Sequence, residues 1–319
     1  MSRYTKGNKQ GQPAVPMLPT SSVVTRYELS DSSRPHKPPA SPEALRTNQQ
    51  EPDTIGRTTF LSARRVYYSK MLPSCALCGH RDEVLTQPIR EGETCPRCGS
   101  SWRTRATAVL IMQGLGIEPR PMLELEPDGR RHGLGISDNP EMARFFRRCF
   151  NYSNSELDVD PIVDLLNPRS SMEGLYDFVI CSDVLEHVPP SAERAIASLA
   201  SFLRPGGIAM VSVPVSGGDT DEYYPDITDW SMLDGELHWT DASGESHVDN
   251  NPEIHGGDGL TIAFRTWGAE DFERAVLANG FSSIERLVPC PELGVPEMPW
   301  SGKPVVLPPL MSGMWLARH

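Results

Sequence analysis

Residues 176–188 read YDFVICSDVLEHV, and residues 203–215 read LRPGGIAMVSVPV. Each contains a continuous apolar run, FVIC in the first and IAMV in the second. A run without polar alternation is what a strand covered on both faces requires, and such strands belong to parallel sheets. Between them, Ile196, Leu199, Phe202 and Leu203 recur at helical spacing over residues 191–203. Pro205-Gly206-Gly207 is expected to end that helix and turn the chain. A buried strand, a helix and a second buried strand form one crossover unit.

The same alternation extends outward. GLGISD (133–138) is a short apolar run before a turn. Asn139 is a helix cap and Pro140 a first-turn residue, and MARFFRRCF follows at helical spacing. NYSNSELD (151–158) reads as a strand, as does IVDLL (162–166). Beyond residue 215 the pattern breaks at an acidic insertion, about 217–259, with turns and room for a hairpin. It resumes with a helix in AEDFERAVLANG, Gly280 as its stop, and strands in FSSIERLV and MSGMWLARH. The fold class is α/β, a Rossmann-like, doubly wound, mostly parallel sheet.

Ahead of it stand CALCGH (75–80) and CPRCGS (95–100), with sixteen residues between Cys78 and Cys95. Two CxxC pairs, each followed by glycine, place four thiolates for one tetrahedral ion. Cys75, Cys78, Cys95 and Cys98 are therefore expected to hold structural Zn²⁺ in a zinc ribbon, with every ligand position filled by protein. Arg105, Ala106, Val109, Leu110 and Met112 then mark a helix. Trp102, Arg103 and Arg105 leave a nucleic-acid contact open. Residues 1–58 are rich in Pro, Ser, Thr and Gln without periodicity, and are expected to be disordered. The expected organisation is a tail over 1–58, the ribbon over 59–104, and an α/β domain over 105–319.

The two segments quoted first resemble the fourth and fifth strands of class I S-adenosylmethionine-dependent methyltransferases, in the branch with quinone-biosynthesis and sugar methyltransferases. Asp177 through Ile180, Ser182, Val184 to His187, and Leu203 to Gly207 are the matching residues. The resemblance implies a methyltransferase that uses S-adenosyl-L-methionine. In such a sheet the ligand lies at the carboxyl ends of the strands, at the topological switch. Ser182, Asp183 and Glu186 are then expected at the cofactor, and His187 as a structural residue or a general base. Asp164 matches the acid near the adenine amine.

The first motif departs from the family, because no GxGxG is present. PMLELEPDG, with Glu124 and Glu126, and GLGISDN compete for the position; only the second has room for a following helix. Gly133, Gly135, Ser137 and Asp138 are thus the expected cofactor residues there. Glu156, twenty-one positions after Gly135, or Asp158 is the expected ribose carboxylate. Asp138 and Asp164 also read as a helix cap and a strand-end turn. In the insertion, Tyr223, Tyr224, Trp230, Trp239, His238 and His255 suit a sugar or aromatic acceptor, or else a cluster that pins the loop. His255 is a second candidate for catalysis.

Net charge is −12, and residues 205–264 hold twelve Asp or Glu and no Lys or Arg. Such a surface repels a phosphate backbone, so nucleic acid is an improbable partner and a small-molecule or sugar acceptor is expected. No apolar stretch suits membrane insertion or a secretory leader. Seven cysteines, four in CxxC pairs, fit the reducing cytoplasm. The alternative function is an inactive Rossmann-like module whose ribbon recognises protein or nucleic acid; a nicotinamide enzyme lacks its GxGxxG.

Overall fold

The computed structural model describes residues 72–86, 94–155, 162–255, 261–296 and 311–319. The expected tail, Glu156, Asp158 and residues 256–259 of the insertion lie outside them.

The helices are α1 (Trp102–Gly114), α2 (Pro140–Cys149), α3 (Ala192–Phe202) and α4 (Ala269–Ala278). The main sheet is built on β1 (Asp128–Ile136), β2 (Phe150–Ser155), β3 (Tyr176–Ser182) and β4 (Leu203–Ser216). An insertion follows, with β5 (Asp221–Glu222), β6 (Ile227–Leu233), β7 (Glu236–Asp241) and β8 (Ser246–Asp249). The chain closes with β9 (Arg265–Gly268), β10 (Ser283–Arg286) and β11 (Met311–Arg318).

The strand order is β10-β11-β4-β3-β1-β2. Strands β2, β1, β3 and β4 run parallel, and β11 runs antiparallel to both β4 and β10. The chain winds from β1 outward to β2, then returns to β3 and winds the other way to β4. The order reverses between β1 and β3, and their carboxyl ends form the switch-point crevice. The fold class expected from the sequence is the one observed.

Strand alternation explains both layers. Phe178 and Ile180 of β3, Ile208 and Met210 of β4, and Met314 and Leu316 of β11 share one core with α1 and α2. Val179, Cys181, Ala209, Val211, Trp315 and Ala317 point the other way, into a core with α3 and α4. Both faces are covered, as the unbroken apolar runs require. Gly133 lies where the Phe178 ring occupies the space a Cβ would take, so the ring closes directly onto the strand.

Two expectations need correction. IVDLL is not a strand. Asp164 Oδ1 accepts from the backbone N–H of Leu166 at 2.8 Å and of Asn167 at 3.2 Å, which curls the chain into a turn. Helix α3 also ends earlier than the Pro-Gly-Gly signal suggests. Leu203 already pairs with Tyr176, and a register shift absorbs Pro205, Gly206 and Gly207 before pairing resumes at Ile208.

Candidate active site

At the end of β1 the chain turns through Ser137, at a φ of 53°, into buried Asp138. Asn154 clamps this turn: its Oδ1 accepts from Asp138 N–H at 2.9 Å, and its Nδ2 donates to Asp138 O at 2.8 Å. Tyr152 donates its hydroxyl to Asp138 Oδ2. The other oxygen, Oδ1, is buried with no hydrogen-bond partner. Tyr152, Asp138 and Asn154 fill the space beside Gly135. Gly133 and Gly135 therefore permit close packing beneath the loop, and Ser137 is the exposed residue of the turn.

Burial raises the Asp138 pKa to about 8. The folded state thus keeps a proton that the unfolded chain sheds above about pH 4. This contribution to stability is complete below that pH and is lost as pH rises toward 8. Between pH 6 and 8 the loss is at most about 3 kcal/mol. Asp138→Asn should flatten that slope, read as urea midpoints at the two pH values. An unchanged slope would show that another group carries it.

At the end of β3, Asp183 sits at a φ of 51°. Its carboxylate accepts from Arg103 on α1, from Ser212 on β4 at 2.8 Å and from Ser312 on β11 at 2.9 Å. These partners make Asp183 the anchor of the turn. Ser182 Oγ lies 2.9 Å from Ser212 Oγ. The next turn carries Glu186, which is buried, and His187, which is half-buried. Arg265, fully buried, donates to Leu185 O at 2.9 Å, Val188 O at 2.6 Å and Glu222 at 2.6 Å, fixing the turn from β9. His187 Nδ1 donates to Ile262 O at 2.7 Å, because a carbonyl only accepts; in the neutral ring the lone pair then lies on Nε2. His255 meets His187 edge-to-face, with ring centroids 5.7 Å apart. Exposed Asp164 is held in its own turn, its pKa lowered chiefly by Asn167 Nδ2.

The profile of the family described as "Methyltransferase domain" matches residues 115–282, more than half of the chain. The chain belongs to this family. Solved structures matching it include the 1,6-didemethyltoxoflavin-N1-methyltransferase of Burkholderia thailandensis, at 14% identity, with 69% of this chain and 78% of that one covered and a TM-score of 0.39. The sugar N-methyltransferase KedS8 of Streptoalloteichus matches at 15% identity over 69% and 89%, with a TM-score of 0.38. DesVI of Streptomyces venezuelae matches at 16% over 69% and 92%, with a TM-score of 0.37. No curated protein matches the sequence.

The methyltransferase match begins after α1, so the cysteine quartet lies outside it. The two knuckles repeat one backbone pattern. Gly79 N–H donates to Cys75 O and Gly99 N–H to Cys95 O, each at 2.8 Å, with both glycines at a φ of 73°. The four sulfurs lie within 4.8 Å of one another, with Cys75–Cys98 at 3.7 Å and Cys78–Cys95 at 3.6 Å. The Cys98 contact and burial push the Cys75 thiol up to about 12. Buried Arg105 donates to Ser100 O at 2.6 Å and Gly294 O at 2.7 Å. With Trp102 and Arg105 buried and Arg103 held by Asp183, the nucleic-acid contact left open by the sequence has no surface there.

The insertion folds as a three-stranded antiparallel sheet, β6-β7-β8. Tyr224 is buried with Ile227, Leu237, Ile262 and Phe264, and donates its hydroxyl to Asp249 at 2.7 Å. Tyr223 Oη lies 2.7 Å from Thr266 Oγ1. Trp230, His238 and Trp239 line a shallow concavity of about 450 Å³. The pinning cluster thus holds Tyr224, with Tyr223 and Trp239 packed against it and the Trp230 ring edge-on to Phe264 at 5.2 Å, while His238 lines the concavity.

Proposed function

We propose that this methyltransferase domain transfers the methyl group of S-adenosyl-L-methionine to a small-molecule or sugar acceptor. The observation that carries this reading is the crevice at the switch between β1 and β3, in a chain whose residues 115–282 match a methyltransferase family. The residues fit the cofactor. Asp138 offers a buried carboxyl oxygen without a partner, and a cofactor ammonium beside it would favour loss of the proton that burial otherwise retains. Ser137 and Asp138 would meet the methionine end, Glu156 or Asp158 the ribose, and Asp164 the adenine side. The turn through Ser182, Asp183 and Glu186 would form the opposite wall, anchored by Arg103. When bound, the cofactor supplies an activated methyl group, so the protein's part is alignment and exclusion of water. His187 presents its Nε2 lone pair to take a proton from the acceptor, with His255 beside it.

Tyr223, Trp230 and His238 are proposed to shape the acceptor side, with Tyr224 supporting them from within the cluster. The four thiolates are proposed to hold structural Zn²⁺. A tetrahedron with Zn–S bonds near 2.3 Å has edges of about 3.8 Å, close to the sulfur separations found. Arg105 offsets the excess negative charge of four thiolates around one divalent ion. Seven cysteines, four of them in the quartet, suit a reducing compartment, and we place the protein in the cytoplasm. Among the described residues, no helix is long and apolar enough to cross a membrane.

Incubation with methyl-labelled cofactor and pools of free and carrier-linked sugars or other small metabolites tests the acceptor class. Label in a small product is expected. Label found solely in added protein or nucleic acid would overturn it.

A further inference from the structure

Glu186, His187 and His255 each offer a ligand atom, and these atoms lie within 4.8 Å of one another. Main-chain hydrogen bonds bring together residues far apart in sequence. Phe264 N–H donates to Glu186 O at 2.8 Å, His255 N–H donates to Thr261 O at 2.9 Å, and Ile254 bridges Ile262. The segment around 261–264 thus stitches the turn after β3 to the segment carrying His255. We propose that Glu186, His187 and His255 form a site for a first-row divalent metal ion at the rim of the crevice.

Four features point to a cation. Glu186 is 1% exposed, and His187 Nε2 lies 3.8 Å from its Oε1. The bond from His187 Nδ1 to Ile262 O fixes the ring and its tautomer, the outer-shell arrangement that metal-ligating histidines use. Glu253 Oε1, 3.5 Å from His255 Nε2, adds a second carboxylate, so a divalent ion would balance the charge of the group. Two imidazoles with a carboxylate suit a first-row transition ion and leave coordination positions open. The ion would then meet an oxygen or nitrogen of the acceptor, with His187 as one of its ligands. That last role rests on the transfer reading; the metal site itself does not.

The second histidine-containing cluster, Asp241, Glu245 and His247, is explained locally. Asp241 accepts from the N–H of Ser243 at 2.8 Å and of Glu245 at 2.9 Å, and holds His247 at 2.9 Å across the β7–β8 turn. It serves as the control.

The test is titration of full-length, zinc-loaded protein with Co²⁺, after mild chelation clears weakly held metal. One equivalent is expected to give visible bands of nitrogen and oxygen coordination without a thiolate charge-transfer band. His255→Ala and Glu186→Gln should each weaken binding more than about tenfold, since losing an outer-shell partner alone costs roughly 10–100-fold. Asp241→Asn should leave it unchanged. Thermal melting of every variant reports folding, and S-adenosylhomocysteine binding by the wild type reports the transfer reading separately. Absence of the bands in wild-type protein that binds S-adenosylhomocysteine would overturn the metal site and leave His187 as the general base. Bands that persist in both variants would also overturn it.

Discussion

Cys78→Ser should lose stoichiometric zinc and melt at a markedly lower temperature than the wild type. In small zinc modules, metal binding supplies roughly 10–16 kcal/mol that is also folding free energy. Here the knuckles share a core with α1, and α1 packs on β4 and β11, so part of that energy is protected. A loss of even about 4 kcal/mol lowers Tm by roughly 8–16 °C at this chain size. The effect should also reach the crevice. Ser101 caps α1, Arg105 ties the second knuckle to Gly294, and Arg103 on the same helix anchors Asp183. Weaker binding of S-adenosylhomocysteine should therefore accompany the zinc loss. Unchanged metal content and Tm would contradict structural zinc.

His187→Ala should lower kcat by roughly 10²–10⁴-fold, the usual contribution of a positioned general acid or base, and it should also remove a ligand of the proposed ion. Cofactor affinity should stay near wild type, because the side chain faces Ile262 and His255. His187→Gln separates chemistry from support. The Gln amide can still donate toward Ile262 O but supplies no basic lone pair. It should be as slow as the alanine variant while matching wild-type stability. A glutamine variant with wild-type kcat would assign His187 to structure alone. Single-turnover rates at saturating cofactor are the appropriate readout.

The sheet was legible because burial on both faces leaves a one-letter signature: FVIC and IAMV admit no other use in so polar a chain. The cap at Asn139 was legible because capping is local, and its Oδ1 accepts from Glu141 N–H at 2.8 Å. IVDLL misled because its apolar pattern says nothing of the Asx turn that Asp164 makes. The partners of Asp183 were hidden by distance: Arg103 lies 80 residues away and Ser312 129. The meeting of Glu186, His187 and His255 depends on main-chain bonds from 261–264, which have no side-chain signature. Arg265 left one trace, as the first cation after the sixty residues 205–264. A lone cation closing an acidic stretch is a candidate for burial against carbonyls, and Arg265 is used that way.

The central claim is that the crevice between β1 and β3 binds the methyl-donor cofactor. Calorimetric titration of folded, zinc-loaded protein with S-adenosylhomocysteine tests it most directly, beside a Glu156→Ala, Asp158→Ala double variant. One micromolar site, weakened strongly in the variant, is the predicted result. Absence of binding by the folded, zinc-loaded wild type would contradict the account and favour a non-catalytic module on the same fold.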